Sequence, residues 1–197
     1  TNQENGRREF TSRHVACALG ANAEELGLWT RLDLDHQYGV ALTATLAKQT
    51  DRAPAQYQFK HLSFQEGLYA EHLLVLVKSL QDTTRGWANW GGDKAASEFL
   101  NNRYMANTCR IASGHLGSLL GQQRPDWNFS EHPLDPVGRQ ALWFLGHENT
   151  HVKAISVERN EVSADDVPGL ADVIATCTSL QSLNLAENDF HKLTNVP

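Results

Sequence analysis

The sequence predicts an α/β solenoid of stacked repeats, a horseshoe with parallel strands lining its concave face and helices outside. Three observations point there. Leu183, Leu185, Asn188 and Phe190 map, at one constant step back along the chain, onto Ile155, Val157, Asn160 and Val162. A second, equal step reaches Trp127, Phe129, His132 and Leu134, so every apolar slot is refilled by an apolar residue twice. Between these returns lie segments with helix start signals and a one-face apolar spacing. A unit of that kind buries its apolar side only against a neighbour, which is the logic of stacked repeats.

Taken in chain order, the first return is "WTRLDLDHQYG", with Trp29, Leu32, Leu34 and Gln37 in the slots. Residues 39–48, "GVALTATLAK", fill the helix position behind it. "FKHLSFQEGLY" supplies Phe59, Leu62, Phe64, Gly67 and Tyr69, and residues 69–81 the following helix. Trp87 and Trp90 of "WANWGG" are read as a further strand, while 91–126 yields no clear register. After the strand at Trp127, residues 135–146 open with Asp135 as N-cap and Pro136 at the first helical position. Residues 165–177 repeat that plan with Asp165 or Asp166 and Pro168, ahead of the strand at Leu183.

"LQSLNLAENDF" resembles the leucine-rich repeat consensus, and a unit as long as the step from Ile155 to Leu183, with a full helix, resembles the ribonuclease-inhibitor-like class. "ENTHVKAISVERNEV" is similar to the repeats of tropomodulin and leiomodin, and "GLADVIATCTSLQSLNLAEN" to those of NOD-like receptors and Ran GTPase-activating proteins. His132, Gly67 and Gln37 depart from the expected ladder Asn, and Trp and Phe replace several leucines. The resemblance implies a single repeat domain over 1–197, of about five or six units.

Alternation along a strand puts the residues between core slots on the concave face. The expected partner-binding array is Arg31, Asp33 and Asp35; His61, Ser63 and Gln65; Asp126, Asn128 and Ser130; Ala154, Ser156 and Glu158; Ser182, Asn184 and Ala186. It is polar and acidic in several places, which suits a basic or mixed-charge protein partner and an interaction role without catalysis or cofactor. A soluble inner face is also what any solenoid needs.

The competing reading is enzymatic. His147 and His151 of "HENTH" would share a face if helical, at metal-ligand spacing. With His61 they resemble the ligand set of DinB/YfiT-like four-helix metalloproteins, and Glu148 would assist a metal-bound water. Against it, Val152, Ile155 and Val157 suit a strand. In the repeat frame His147 is instead a helix-end residue near the C-terminal dipole.

Bulk properties narrow the classes. The formal net charge of -6 disfavours nucleic acid as a partner. Three cysteines, Cys17, Cys109 and Cys177, lack metal-type spacing and point to a reducing, cytoplasmic setting. No stretch is apolar enough to span a bilayer. The start at "TNQENGRR" without Met, and the end at "LTNVP", lead us to expect a segment of a longer protein, such as the recognition arm of a signalling, cytoskeletal or immune-receptor-type chain.

Overall fold

The computed structural model describes residues 9–20, 23–34, 43–79 and 93–188. These residues form seven α-helices, one 3-10 turn and two three-stranded sheets, one antiparallel and one parallel. The expected horseshoe is therefore overturned: the chain is a mixed α/β protein, not a solenoid. It divides into two compact units, Thr1–Gln65 and Glu66–Pro197.

In the first unit, strands β1 (Glu9–Thr11), β2 (Thr43–Ala47) and β3 (Gln56–Phe59) pair antiparallel in the order β1-β3-β2. Helix α1 (Ser12–Leu19) follows β1 directly. Thr11 caps it, accepting from the His14 backbone N–H at 3.3 Å while His14 Nδ1 accepts from the Thr11 N–H at 3.1 Å. Helix α2 spans Ala23–Leu34. Phe10 of β1, Tyr57 and Phe59 of β3 and Trp29 of α2 form an aromatic cluster with centroids 5.2 to 6.1 Å apart. Such pairs add roughly 0.5–1.5 kcal/mol each beyond area burial.

Two expectations fail here for local reasons. The segment 39–48 reads as a helix, yet Thr43 and Thr45 lie in strand β2, where β-branched side chains fit a pleated surface better than a helix. The strand expected at Trp29, Leu32 and Leu34 is helix α2, whose "AEELGLWTRL" is rich in helix formers and has acidic residues in its first turn. Gln37 and Asp35 lie outside the described residues, as do Trp87 and Trp90.

Helix α3 (Leu62–Ser79) contains the boundary between the units. Leu62 and Phe64, expected on a strand, belong to this helix. The second unit continues with α4 (Asp93–Leu100), α5 (Ala106–Gln123), β4 (Asp126–Asn128), α6 (Pro136–Gly146), β5 (Ala154–Ser156), a 3-10 turn at Ala164–Asp166, α7 (Val167–Thr176) and β6 (Ser182–Asn184). Strands β4, β5 and β6 are parallel neighbours, with Trp127 beside Ile155 and Ile155 beside Leu183. Each partner thus lies one full step of the apolar period further along. The spacing ends at these three strands. Phe99, one step before Trp127, sits in helix α4, an Ala- and Glu-bearing segment without β-branched residues.

The sheet is covered on one side by helices. Trp127, Phe129, Ile155 and Val157 are essentially inaccessible and pack with Leu116, Leu120, Leu142 and Leu145 in one cluster. Close approach is what allows it. A Cβ on Gly117 of α5 would stand 1.7 Å from the Leu145 carbonyl oxygen, so α5 rests on the end of α6 through bare backbone. Asp135 caps α6 by accepting from the Gly138 N–H at 2.8 Å, with Pro136 just inside the helix. No helix of the described residues is long and apolar enough to cross a membrane.

Candidate functional site

Because strand side chains alternate, burying Trp127, Ile155 and Leu183 turns their neighbours outward. The pairing aligns Asp126, Ala154 and Ser182 in one row and Asn128, Ser156 and Asn184 in the next. Ser130, Glu158 and Ala186 follow where the strands end. Nine residues of the sequence-derived array, Asp126, Asn128, Ser130, Ala154, Ser156, Glu158, Ser182, Asn184 and Ala186, thus share one side of a three-stranded sheet.

The other members do not belong to it. Arg31 is exposed on helix α2, and Asp33 lies on the same helix. His61 is an exposed residue in the bend before α3, its ring edge-on to Phe64 at 5.3 Å. Ser63 is exposed on α3, and Gln65 on that helix is only 5 % exposed. No concave strand face unites them, because helices occupy the stretches where strands were expected.

Hydrogen bonds fix the outward side chains of the parallel sheet. Asn128 Oδ1 accepts from the Ser130 N–H at 3.0 Å and from the Ser130 hydroxyl at 2.8 Å. At the matching place, Asn184 Oδ1 accepts from the Ala186 N–H at 3.0 Å while its amide donates to Glu158 Oε2 at 2.9 Å. These are local side-chain turns of the kind Asn forms readily.

The strand ends carry a second layer of amides. Asn160, 1 % exposed, accepts from the Leu134 N–H at 2.6 Å and donates to the carbonyls of Glu158 at 2.7 Å and Phe129 at 3.2 Å. Asn188 does the same one strand later, accepting from the Asn160 and Val162 N–H groups and donating to Val157 and Leu185. Each amide meets backbone groups left without ladder partners once the strands stop. Beside them the backbone turns through positive φ at Arg159 (58°) and Glu187 (55°), a region non-glycine residues seldom enter.

Arg159 and Glu187 form a two-pronged exposed ion pair, Nε to Oε2 at 2.6 Å and Nη2 to Oε1 at 2.7 Å. That hydrogen bonding, with the attraction of the charges, holds the Glu187 carboxyl below its usual value and the Arg159 guanidinium above its own. With Asp126, Glu158 and Lys153 nearby on the same strands and turns, the rim is mixed in charge and leans acidic.

Sequence reasoning missed the buried network behind the face. Arg139 Nε lies 3.0 Å from both carboxylate oxygens of Asp166, and its Nη1 donates to the carbonyls of Leu134 at 3.1 Å and Asn160 at 2.6 Å. Trp143 Nε1 donates to Asp166 Oδ1 at 3.2 Å. Burial pushes the Asp166 carboxyl up, but the bonds from Arg139, the Ser163 backbone and Trp143 outweigh it and hold it below the usual carboxylate value. The one available signal was an Arg inside an otherwise apolar helix pattern.

The histidine motif takes a different form from the metal-site expectation. Helix α6 stops at Gly146, and Glu148 has φ 49°, so His147 and His151 do not share a helical face. Asn149, wholly buried, turns the chain: its amide donates to Leu145 O at 3.1 Å and its Oδ1 accepts from the His151 and Val152 N–H groups. His147 Nδ1 is 2.6 Å from Asp172 Oδ2. His147, His151 and Glu148 border a pocket of about 570 Å³ with Ser113 and His115. His61 belongs to the other unit. Among the described residues, no group of three or more His, Cys, Asp or Glu side chains is placed to hold a metal ion. Comparison with protein-family models, curated proteins and solved structures finds no match to this chain.

Proposed function

We propose that the chain is a non-catalytic interaction module that docks another protein, basic or mixed in charge, on the outward face of strands β4–β6. The observation that supports this reading most directly is the prior ordering of that face. Asn128, Asn184 and Glu158 are already hydrogen-bonded in place over a core containing Trp127 and Ile155. A side chain held before binding loses little rotamer freedom on contact, and roughly 0.5–1.5 kcal/mol per immobilised side chain is thereby spared. Positions Asp126, Asn128 and Ser182 are exposed and clear of the helical layer.

The metalloenzyme reading lacks its ligand cluster among the described residues and has no supporting geometry. The test is cross-linking of the intact chain in cells or extract, with mass-spectrometric identification of what is captured. An Asp126→Arg/Ser182→Arg variant reverses the charge and adds bulk on the face while leaving the buried side untouched. Loss of specific captured proteins at unchanged melting temperature is expected. An identical captured set from both chains would overturn the reading.

A further inference from the structure

The helical side of the second unit carries a groove that the sheet-face function does not use. It runs between α6 and α7, has a volume of about 450 Å³, and is walled by Pro136, Phe144 and Pro168, with Trp143 at its base. Its depth follows from the sequence. A Cβ on Gly169 would stand 2.7 Å from Trp143 Cδ1, so the glycine lets α7 close directly over the indole. Trp143 is in turn held by its Nε1 bond to Asp166.

The groove is unbalanced in charge. Three carboxylates line it, Asp165, Asp166 and Asp172, against a single guanidinium, that of Arg139. Arg139 is 3 % exposed, and its hydrogen bonds go to Asp166 and to the carbonyls of Leu134 and Asn160. It therefore has little left to offer an incoming anion. Asp165, in the 3-10 turn, and Asp172, on α7, are exposed and lie two turns apart on the same side; Asp172 meets His147 Nδ1 through Oδ2 at 2.6 Å, so a cation in the groove would share that carboxylate. Acidic groups above an apolar floor select a long cationic side chain, whose methylene stem covers the aromatic and proline carbons while its charged head meets the carboxylates.

We infer that this groove is a second docking site, for a basic peptide segment of another protein in which Lys or Arg adjoins Pro or Leu. A metabolite anion is repelled by the rim. The inference is independent of the sheet-face reading, since it uses different residues on a different side of the unit.

The test uses the full chain and a short fluorescein-labelled peptide alternating Lys or Arg with Pro and Leu, followed by fluorescence anisotropy at low and physiological salt. Saturable binding that weakens with salt is expected, with a Glu-for-Lys peptide inert. The Asp165→Asn/Asp172→Asn variant should bind about tenfold more weakly, the combined effect of two exposed ion pairs. Hydrogen exchange of the unaltered chain with saturating peptide gives a second readout that needs no variant: slowing over 140–144 and 165–172 supports the site. The inference is overturned by absent binding, by equal binding to the variant, or by competition from spermidine at matching charge concentration. It is overturned equally by loss of binding in an Asp126→Asn/Glu158→Gln variant instead, which would move the peptide to the sheet face.

Discussion

Replacing Asn160 by Ala should be among the most damaging single changes in the second unit, for a reason that can be worked through atom by atom. The amide accepts from Leu134 N and donates to the carbonyls of Phe129 and Glu158, at distances of 2.6, 3.2 and 2.7 Å. The residue is 1 % exposed, so water cannot take its place without opening the structure. A buried backbone group stranded in this way costs about 1–3 kcal/mol. Leu134 N is stranded outright, while Phe129 O keeps the His132 N–H at 3.3 Å, which puts the loss at roughly 1–3 kcal/mol. For a domain of this size that corresponds to a fall in melting temperature of about 5–10 °C. Asn188→Ala is the companion test. It strands the N–H groups of Asn160 and Val162 and the Val157 carbonyl, all on buried residues, and should cost a similar roughly 1–3 kcal/mol. Urea unfolding followed by circular dichroism measures both. A loss below about 1 kcal/mol for either variant would show that the amides do not carry the strand ends.

Arg139→Met leaves Asp166 buried without its cation and should cost about 3 kcal/mol near neutrality, the low end for such pairs because Ser163 and Trp143 still donate to the carboxylate. The sign with pH is fixed by the depressed native value of Asp166. Its contribution to the unaltered chain is present above the unfolded carboxylate pKa of about 4 and is lost as pH falls through the lower native value. In the variant, uncompensated burial raises the carboxyl instead, so the stability gap between the two proteins should narrow below about pH 5. A gap independent of pH in denaturant titrations would contradict the assignment. Gly117→Ala and Gly27→Ala should move stability in opposite directions. The first drives a methyl to 1.7 Å from the Leu145 carbonyl oxygen and should cost upwards of about 2 kcal/mol. The second meets nothing within 4 Å in helix α2 and should gain roughly 0.5–1 kcal/mol from helix propensity. Thermal melts that show the same sign for both would refute the packing of α5 on α6.

What could be read in the chain depended on whether a feature was local. Asp135 and Pro136 mark the start of α6 because a cap and a proline act within one turn. Ile155 and Leu183 could be placed on strands because each sits in a short apolar alternation. The strands expected upstream failed for a common physical reason. Apolar residues at offsets of zero, three and five occur on a strand that bends at its end, but an offset of three is equally one face of a helix. In "FKHLSFQEGLY" the second meaning wins: α3 buries Glu66, Ala70, Leu73 and Val77, a helical stripe whose first member is charged and so escapes an apolar count.

Strand direction was legible only where the constant step held, in the parallel set β4–β6. Alternation records which side a residue faces and carries no sign along the chain, so it could not foretell that β3 pairs antiparallel with β1 and β2. Long-range polar pairs divide in the same way. Arg159 and Glu187 are separated by the same step as the apolar slots, and opposite charges at that separation could have been sought directly. Arg139 and Asp166 fall one position short of that step and meet only because α6 and the turn before α7 are packed together, so no single frame aligns them. The pair most deeply buried was therefore the one least visible, since burial of a charge is set by the whole tertiary arrangement and local sequence registers only its residue type.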